Sequence, residues 1–187
     1  MIPLLLREET GSTNDDLWKL FEDGCRYPVA ILAGRQTRGR GQREKRWHSD
    51  NTGNLYLSIL SFIGADDRKW LPLVPLQTSL LIISVLRTHT DTTIGVKWPN
   101  DLMIGNRKFG GILVESKSGL DPELTPLVIG IGLNLNASPA GYPADLRGEV
   151  ALLGEEAGNH FPLIDIALEV LYNFYSAFAA FPMRREE

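Results

Sequence analysis

Leu102-Met103-Ile104-Gly105-Asn106-Arg107-Lys108-Phe109-Gly110-Gly111-Ile112-Leu113-Val114-Glu115 is the stretch whose reading decides the fold class. Two apolar runs, Leu102 to Ile104 and Phe109 to Glu115, flank Gly105-Asn106, a pair suited to a tight turn, so they predict neighbouring antiparallel strands. Working outward, Ile94 to Trp98 reads as a strand stopped by Pro99. On the other side, Leu127 to Asn136 reads as a strand whose Gly130 and Gly132 leave room for a close neighbour. Pro28 to Ala33 is a short continuous apolar run, typical of a buried strand, and Gly53 to Phe62 is β-rich and partly alternating.

Helices frame these strands. Ser12-Thr13-Asn14-Asp15 predicts a helix start, with Ser12 able to cap and Asp15 favouring the positive end of the dipole. Leu17, Leu20 and Phe21 follow at helical spacing and Gly24 ends the run. Leu71 to Leu86 predicts a helix buried on most sides, with Pro72 and Pro75 confined to its first turns. Pro162 to Phe181 predicts a closing amphipathic helix. There is no repeat and no interdomain linker. The expectation is one α+β domain over residues 1–187, a mixed, largely antiparallel sheet with helices packed on one face.

Bulk properties narrow the function. A chain of 187 residues is long enough to bury a core. Cys25 is the single cysteine, so no intramolecular disulfide forms, which fits a reducing compartment. The N-terminal apolar run is too brief for a signal peptide, and no apolar run approaches the roughly 18–20 residues of a membrane span. The expectation is a cytoplasmic protein without a membrane partner. A net charge of −4 argues against broad nucleic-acid binding.

Against that acidic background, Gln36-Thr37-Arg38-Gly39-Arg40-Gly41-Gln42-Arg43-Glu44-Lys45-Arg46-Trp47 concentrates positive charge in one loop. A solvated charge run is the plain reading. Alternating arginine and glycine also suits an anion, with backbone amides lining it and guanidiniums clamping it. A nucleic-acid patch is the weaker third reading, because the loop has one aromatic and no basic stripe continues it. Lys108, just ahead of Gly110-Gly111, is placed to act as an electrophilic clamp where a ligand can approach the backbone. Val96-Lys97-Trp98-Pro99-Asn100-Asp101 reads either as a turn or as polar groups presented at a strand end. Gly130-Ile131-Gly132 lacks the third glycine and following helix of a dinucleotide fingerprint. His48, His89 and His160 show no metal spacing, and no nucleophile elbow or Walker loop is present.

Together, Gly11-Ser12-Thr13-Asn14, the Gln36–Trp47 loop, Lys97-Trp98-Pro99-Asn100-Asp101, Lys108 to Glu115 and Gly130 to Asn134 resemble, in order, the motifs of the biotin–protein ligases. The resemblance covers roughly residues 10 to 136 and implies the class II synthetase-like biotin/lipoate ligase catalytic domain. It implies that ATP, with Mg2+, activates biotin as biotinyl-5′-adenylate. A lysine of a biotin carboxyl carrier protein, that of acetyl-CoA carboxylase or a related carboxylase, then takes the biotinyl group. By the same resemblance Lys108 and Arg40 are catalytic, bridging carboxylate and α-phosphate. Ser12, Thr13, Gln36, Gly39, Arg40, Lys108 and Gly111 hold biotin; Arg40, Lys45, Trp47, Asn100, Asp101 and Asn134 hold the nucleotide. No metal ligand set is read.

Three departures accompany the resemblance. Gln42, Glu44 and Lys45 stand where the common loop, Gly-Arg-Gly-Arg-x-Gly-Arg-x-Trp, has Arg, Gly and Arg. Nothing before residue 10 could form a helix-turn-helix, so a monofunctional ligase without DNA-binding domain or repressor role is expected. No C-terminal β-domain is expected after Glu187. Alternatives are a lipoate or octanoate ligase or transferase of the same superfamily, and a non-catalytic biotin-binding protein. An edge strand could pair two copies as a homodimer.

Overall fold

A computed structural model describes residues 2–117, 121–137 and 142–178. Seven strands form one sheet in the order β1-β2-β3-β7-β6-β5-β4. They are β1 (Leu4–Thr10), β2 (Val29–Gln36), β3 (Leu55–Gly64), β4 (Gly95–Lys97), β5 (Asp101–Ile104), β6 (Arg107–Ser116) and β7 (Leu124–Leu133). The helices are α1 (Thr13–Glu22), α2 (Val74–Leu86), α3 (Leu153–Ala157) and α4 (Leu163–Phe178). The β1–β2 pair is parallel, with α1 in the crossover between them, and the other pairs are antiparallel. The α+β, largely antiparallel expectation is therefore met.

The hairpin behaves as its sequence predicts. Ile104 pairs with Arg107 across the two-residue turn, and Gly105 takes φ 56, a left-handed conformation that glycine adopts without steric cost. Beyond the turn the register slips: Met103 pairs with Lys108 but Leu102 pairs with Gly110, so Phe109 is an extra residue. Such a bulge reverses the phase of a strand's side chains. Here it brings Lys108 and Gly111, three apart, onto the same face, where a Cβ on Gly111 would sit 3.2 Å from Lys108 Cε.

Because alternate strand residues face opposite sides, the central strands feed two cores. Ala30, Leu32, Leu57, Ile59, Ile129 and Ile131 pack in one cluster with Ile82 and Leu86 of α2 and Ile166, Val170 and Phe174 of α4. Val29, Ile31, Leu60 and Val128 pack with Leu17, Trp18 and Phe21 of α1. The two long helices thus share one face, as expected, while the short α1 covers part of the other and carries its N-terminus to the site.

Several boundaries differ from expectation. β1 escaped the sequence reading because three leucines are followed at once by Arg7, Glu8 and Glu9, the mixed pattern of an edge strand whose outer side meets water. α2 begins at Val74, preceded by a 3-10 segment over Ala65–Leu73 that holds Pro72; Pro75 falls in the first α-turn, where its missing N–H removes no helical bond. β7 ends at Leu133, because the Asn54 carboxamide oxygen takes the Leu135 amide at 2.9 Å in place of a strand partner. The short α3 was not read. The final helix is described to Phe178; the expected residues 179–181 lie outside the described residues.

One helical stretch is long and apolar by composition. The continuous helical stretch Ala65–Leu86 spans 22 residues with a mean hydropathy of 1.5 over its most apolar window, long and apolar enough to cross a bilayer. Its α2 half packs against α4 and β6, with Val74, Thr78, Ile82, Val85 and Leu86 buried, while Trp70, Leu73 and Leu80 are exposed.

Candidate active site

The N-terminus of α1, the end of β2 with its following loop, and the middles of β3, β6 and β7 converge on a cavity of about 50 Å³. One end is a buried network of neutral polar groups. Gln36, the last residue of β2, accepts on Oε1 from the Thr13 amide at 2.8 Å and lies 3.0 Å from the Thr13 hydroxyl. Thr13 Oγ1 meets Ser58 Oγ at 2.6 Å, and Ser58 Oγ donates to Asn14 Oδ1 at 2.6 Å. With Ser58's proton given to Asn14, the single Thr13 hydroxyl proton goes to Ser58, and the Thr13 amide is the fixed donor to Gln36. Ser12, Thr13, Asn14, Gln36 and Ser58 are all buried. Ser12 stands at the N-cap of α1 but makes no side-chain cap bond, contrary to the expected cap; its side chain lines the cavity.

The other end is charged. Arg40 pairs with Asp15 of α1 through Nη1 and with Glu115 of β6 through Nη2, at 3.0 Å to Oε1 and 3.2 Å to Oε2. Burial by itself would lower the Arg40 pKa, but the charges and hydrogen bonds of Glu115 and Asp15 outweigh it and hold the guanidinium above its ordinary value. Lys108 donates to Asp101 Oδ1 at 2.6 Å, and its Nζ stands 5.3 Å from the centre of the Trp47 ring, within cation–π reach. The loop carrying Arg40 and Trp47 is folded on itself by Gly41 N to Lys45 O (2.6 Å) and Trp47 N to Gly39 O (3.0 Å).

Glycines define the shape of the cleft. A Cβ on Gly130 would lie 2.5 Å from Asn14 Oδ1, and one on Gly39 would lie 2.7 Å from the Trp47 carbonyl. The expectation that Gly130 and Gly132 admit close neighbours is met by Asn14 and Trp47. The indole of Trp47 lies over Gly132 and Gly111, with Nε1 buried and lacking a hydrogen-bond partner.

Ser12, Thr13, Gln36, Arg40, Trp47, Asn100, Lys108 and Gly111 therefore come together around the one cavity. Asn100 is buried there, with its Nδ2 donating to the Ile112 carbonyl at 3.1 Å. Gly39, Lys45, Asp101 and Asn134 do not line it. Gly39 sits behind Gln36 and Trp47, Asp101 reaches the site through Lys108, and Lys45 is exposed at the end of a 3-10 turn. Asn134 is buried with its Oδ1 taken by the Tyr142 hydroxyl at 2.8 Å. Sequence reasoning gave no role to Asn14, Ser58 or Glu115. Ser58 had a signal, a hydroxyl in the apolar run Leu57-Ser58-Ile59; Glu115 had one too, a carboxylate closing an apolar strand in a protein with an arginine-rich loop.

Residues 7–134 match the biotin/lipoate A/B protein ligase family. The chain belongs to that family. Among its relatives is the bifunctional ligase/repressor BirA of Bacillus subtilis, 25% identical over 91% of this chain and 52% of that protein. Another is the biotin–[acetyl-CoA-carboxylase] ligase of Mycobacterium tuberculosis, 30% identical over 73% of this chain and 51% of that one. The chain thus spans about half the length of these curated relatives. Among solved structures, the biotin protein ligase of Aquifex aeolicus in complex with biotin and ATP superposes with a TM-score of 0.80, at 28% identity, over 98% of this chain and 73% of that one. The cleft of this chain joins a neutral, buried pocket to a charged end where Arg40 and Lys108 are paired with Asp15, Glu115 and Asp101.

Proposed function

We propose that this chain is a biotin–protein ligase catalytic domain, which activates biotin with ATP and transfers it to a lysine of a biotin carboxyl carrier protein. The observation that carries this reading is the pairing, in one cleft, of the Thr13–Gln36–Ser58–Asn14 network with Arg40 and Lys108. A cyclic urea is neutral and has both donors and acceptors, which a preformed neutral network can match without paying for charge burial. A carboxylate meeting a polyphosphate must overcome like-charge repulsion, and fixed cations offset it while stabilising the transition state.

In this scheme Ser12, Thr13, Gln36 and Gly111 receive the ring, and Gly39 lets the loop close. Lys108 and Arg40 hold the biotin carboxylate against the α-phosphorus. A carboxylate oxygen forms the new P–O bond as the bond to the β-phosphate oxygen breaks and pyrophosphate leaves. The neutral amine of the carrier lysine then attacks the acyl carbon, AMP departs, and the amine proton passes to solvent. Trp47 covers the adenine, with Asn100 at its edge or phosphates, while Asp101 holds Lys108 in place and Asn134, buried against Tyr142, supports the site from behind. Magnesium would enter with ATP. Among the described residues no group of three or more His, Cys, Asp or Glu could hold an ion.

The cavity of about 50 Å³ is well below the roughly 300 Å³ of a typical ligand site, so the Trp47 loop must move when substrates enter. The test is pyrophosphate exchange with biotin, lipoate and octanoate offered separately, followed by the mass shift of a carrier domain. Exchange with biotin and a biotinyl mass increment are expected. Exchange only with lipoate or octanoate assigns the other acyl class, and tight biotin binding without ATP consumption assigns a binding protein.

A further inference from the structure

Glu115 ends the apolar run of β6 beside the first turn of α1. Its carboxylate accepts from Asn14 Nδ2 at 2.7 Å and Trp18 Nε1 at 3.3 Å, and from Arg40 Nη2 through both oxygens. Asn14 takes the Ser58 hydroxyl, which meets Thr13 against Gln36. An unbroken series of hydrogen bonds thus runs from the buried pocket to the guanidinium of the loop. A carboxylate beside an anion site repels the ligand by Coulomb's law, so its presence calls for a task other than binding. A solvated ion pair is ordinarily worth little. Glu115 differs because two neutral donors on buried α1 residues hold it from behind. A guanidinium has five donors; Glu115 and Asp15 fix its plane without using them all.

We propose that Glu115 is a positioning residue that orients Arg40 and links it, through Asn14 and Ser58, to the Thr13–Gln36 pocket. The chemistry of this role rests on the ligase reading above; its geometry does not.

The test is a double-mutant cycle of Glu115→Gln, a near-isosteric change that removes the charge, with Arg40→Ala. Two quantities are measured: trypsin cleavage after Arg43 in ligand-free protein, a bond all four proteins share, and biotin-dependent pyrophosphate exchange. Glu115→Gln should raise cleavage severalfold and lower kcat/KM for ATP roughly three- to tenfold, a range typical of coupled neighbours. Added to Arg40→Ala it should do nothing more, and the thermal midpoint should hold. Cleavage at the wild-type rate, or effects that multiply in the double variant, would overturn the assignment. Absence of exchange by the wild type with any of the three acids sinks the ligase reading, and the cleavage arm then decides the role of Glu115 alone.

Discussion

Trp47 packs closely against the backbone of Gly132: a Cβ on that glycine would sit 2.7 Å from both Nε1 and Cε2 of the indole. The contact joins the basic loop to the centre of the sheet. Gly132→Ala should push the indole outward, since Trp47 is on a loop and β7 is not free to move. We expect the KM for ATP to rise severalfold, about 1 kcal/mol, with biotin affinity in the absence of ATP nearly unchanged. Equal losses for both ligands, measured by calorimetry, would separate Trp47 from the nucleotide.

Lys108 is fixed from both sides, its backbone by Glu149 and Ala151 and its ammonium by Asp101. Lys108→Ala should cut adenylate formation by about 10²-fold or more, the scale of losing one electrostatic donor to a developing charge. Its thermal unfolding should stay close to wild type, because the ammonium is partly exposed. Unchanged turnover removes Lys108 from the catalytic group.

Gln42 lines the cleft where the family's loop has an arginine, and a neutral amide holds a phosphate less firmly than a guanidinium. Gln42→Arg should slow escape of biotinyl-adenylate, read as less biotin on bystander lysines of an added inert protein. Bystander labelling by the wild type no greater than background contradicts the idea.

Asn54 is buried and supports four groups at once: the Leu135 amide, the Ala137 amide at 3.4 Å, the Tyr142 hydroxyl at 2.7 Å and the Tyr56 hydroxyl at 3.2 Å. Asn54→Ala leaves buried polar groups unpaired, so a loss of about 1–3 kcal/mol per stranded group is expected in denaturant unfolding. A change below about 0.5 kcal/mol would mean that water replaces the carboxamide.

Burial raises the pKa of both Tyr56 and Tyr142, and the Asn54 hydrogen bond offsets this only in part. The neutral phenols are therefore favoured in the folded state. Their contribution is intact below the unfolded value near 10 and is lost as pH rises above it toward the folded values. Unfolding free energy should fall above about pH 10, and less steeply in Tyr142→Phe than in wild type. Parallel pH curves for the two proteins would exclude Tyr142 from the alkaline limb.

Much of the fold was written locally. Gly105-Asn106 between apolar runs specified a hairpin, because few residues accept the left-handed turn, and Leu17, Leu20 and Phe21 specified one buried helical face. The bulge at Phe109 was not legible, since register depends on what the partner strand presents. Nor was β1, whose apolar side needs α1 and β2 before it has anything to bury.

For the site the division is similar. The order and chemistry of its residues, arginines with glycines in a loop and a lysine before Gly110-Gly111, belong to the sequence, because cationic reach and backbone access are properties of residue type. The partners of those residues belong to the tertiary structure. Asp15 and Glu115 are a hundred residues apart and meet on Arg40 only because the start of α1 comes within hydrogen-bond reach of the end of β6. Asn134, chosen by motif, is turned into the core by Tyr142. Hydrogen bonds and Coulomb attraction act over a few ångströms, and which groups come that close is decided only when distant segments pack.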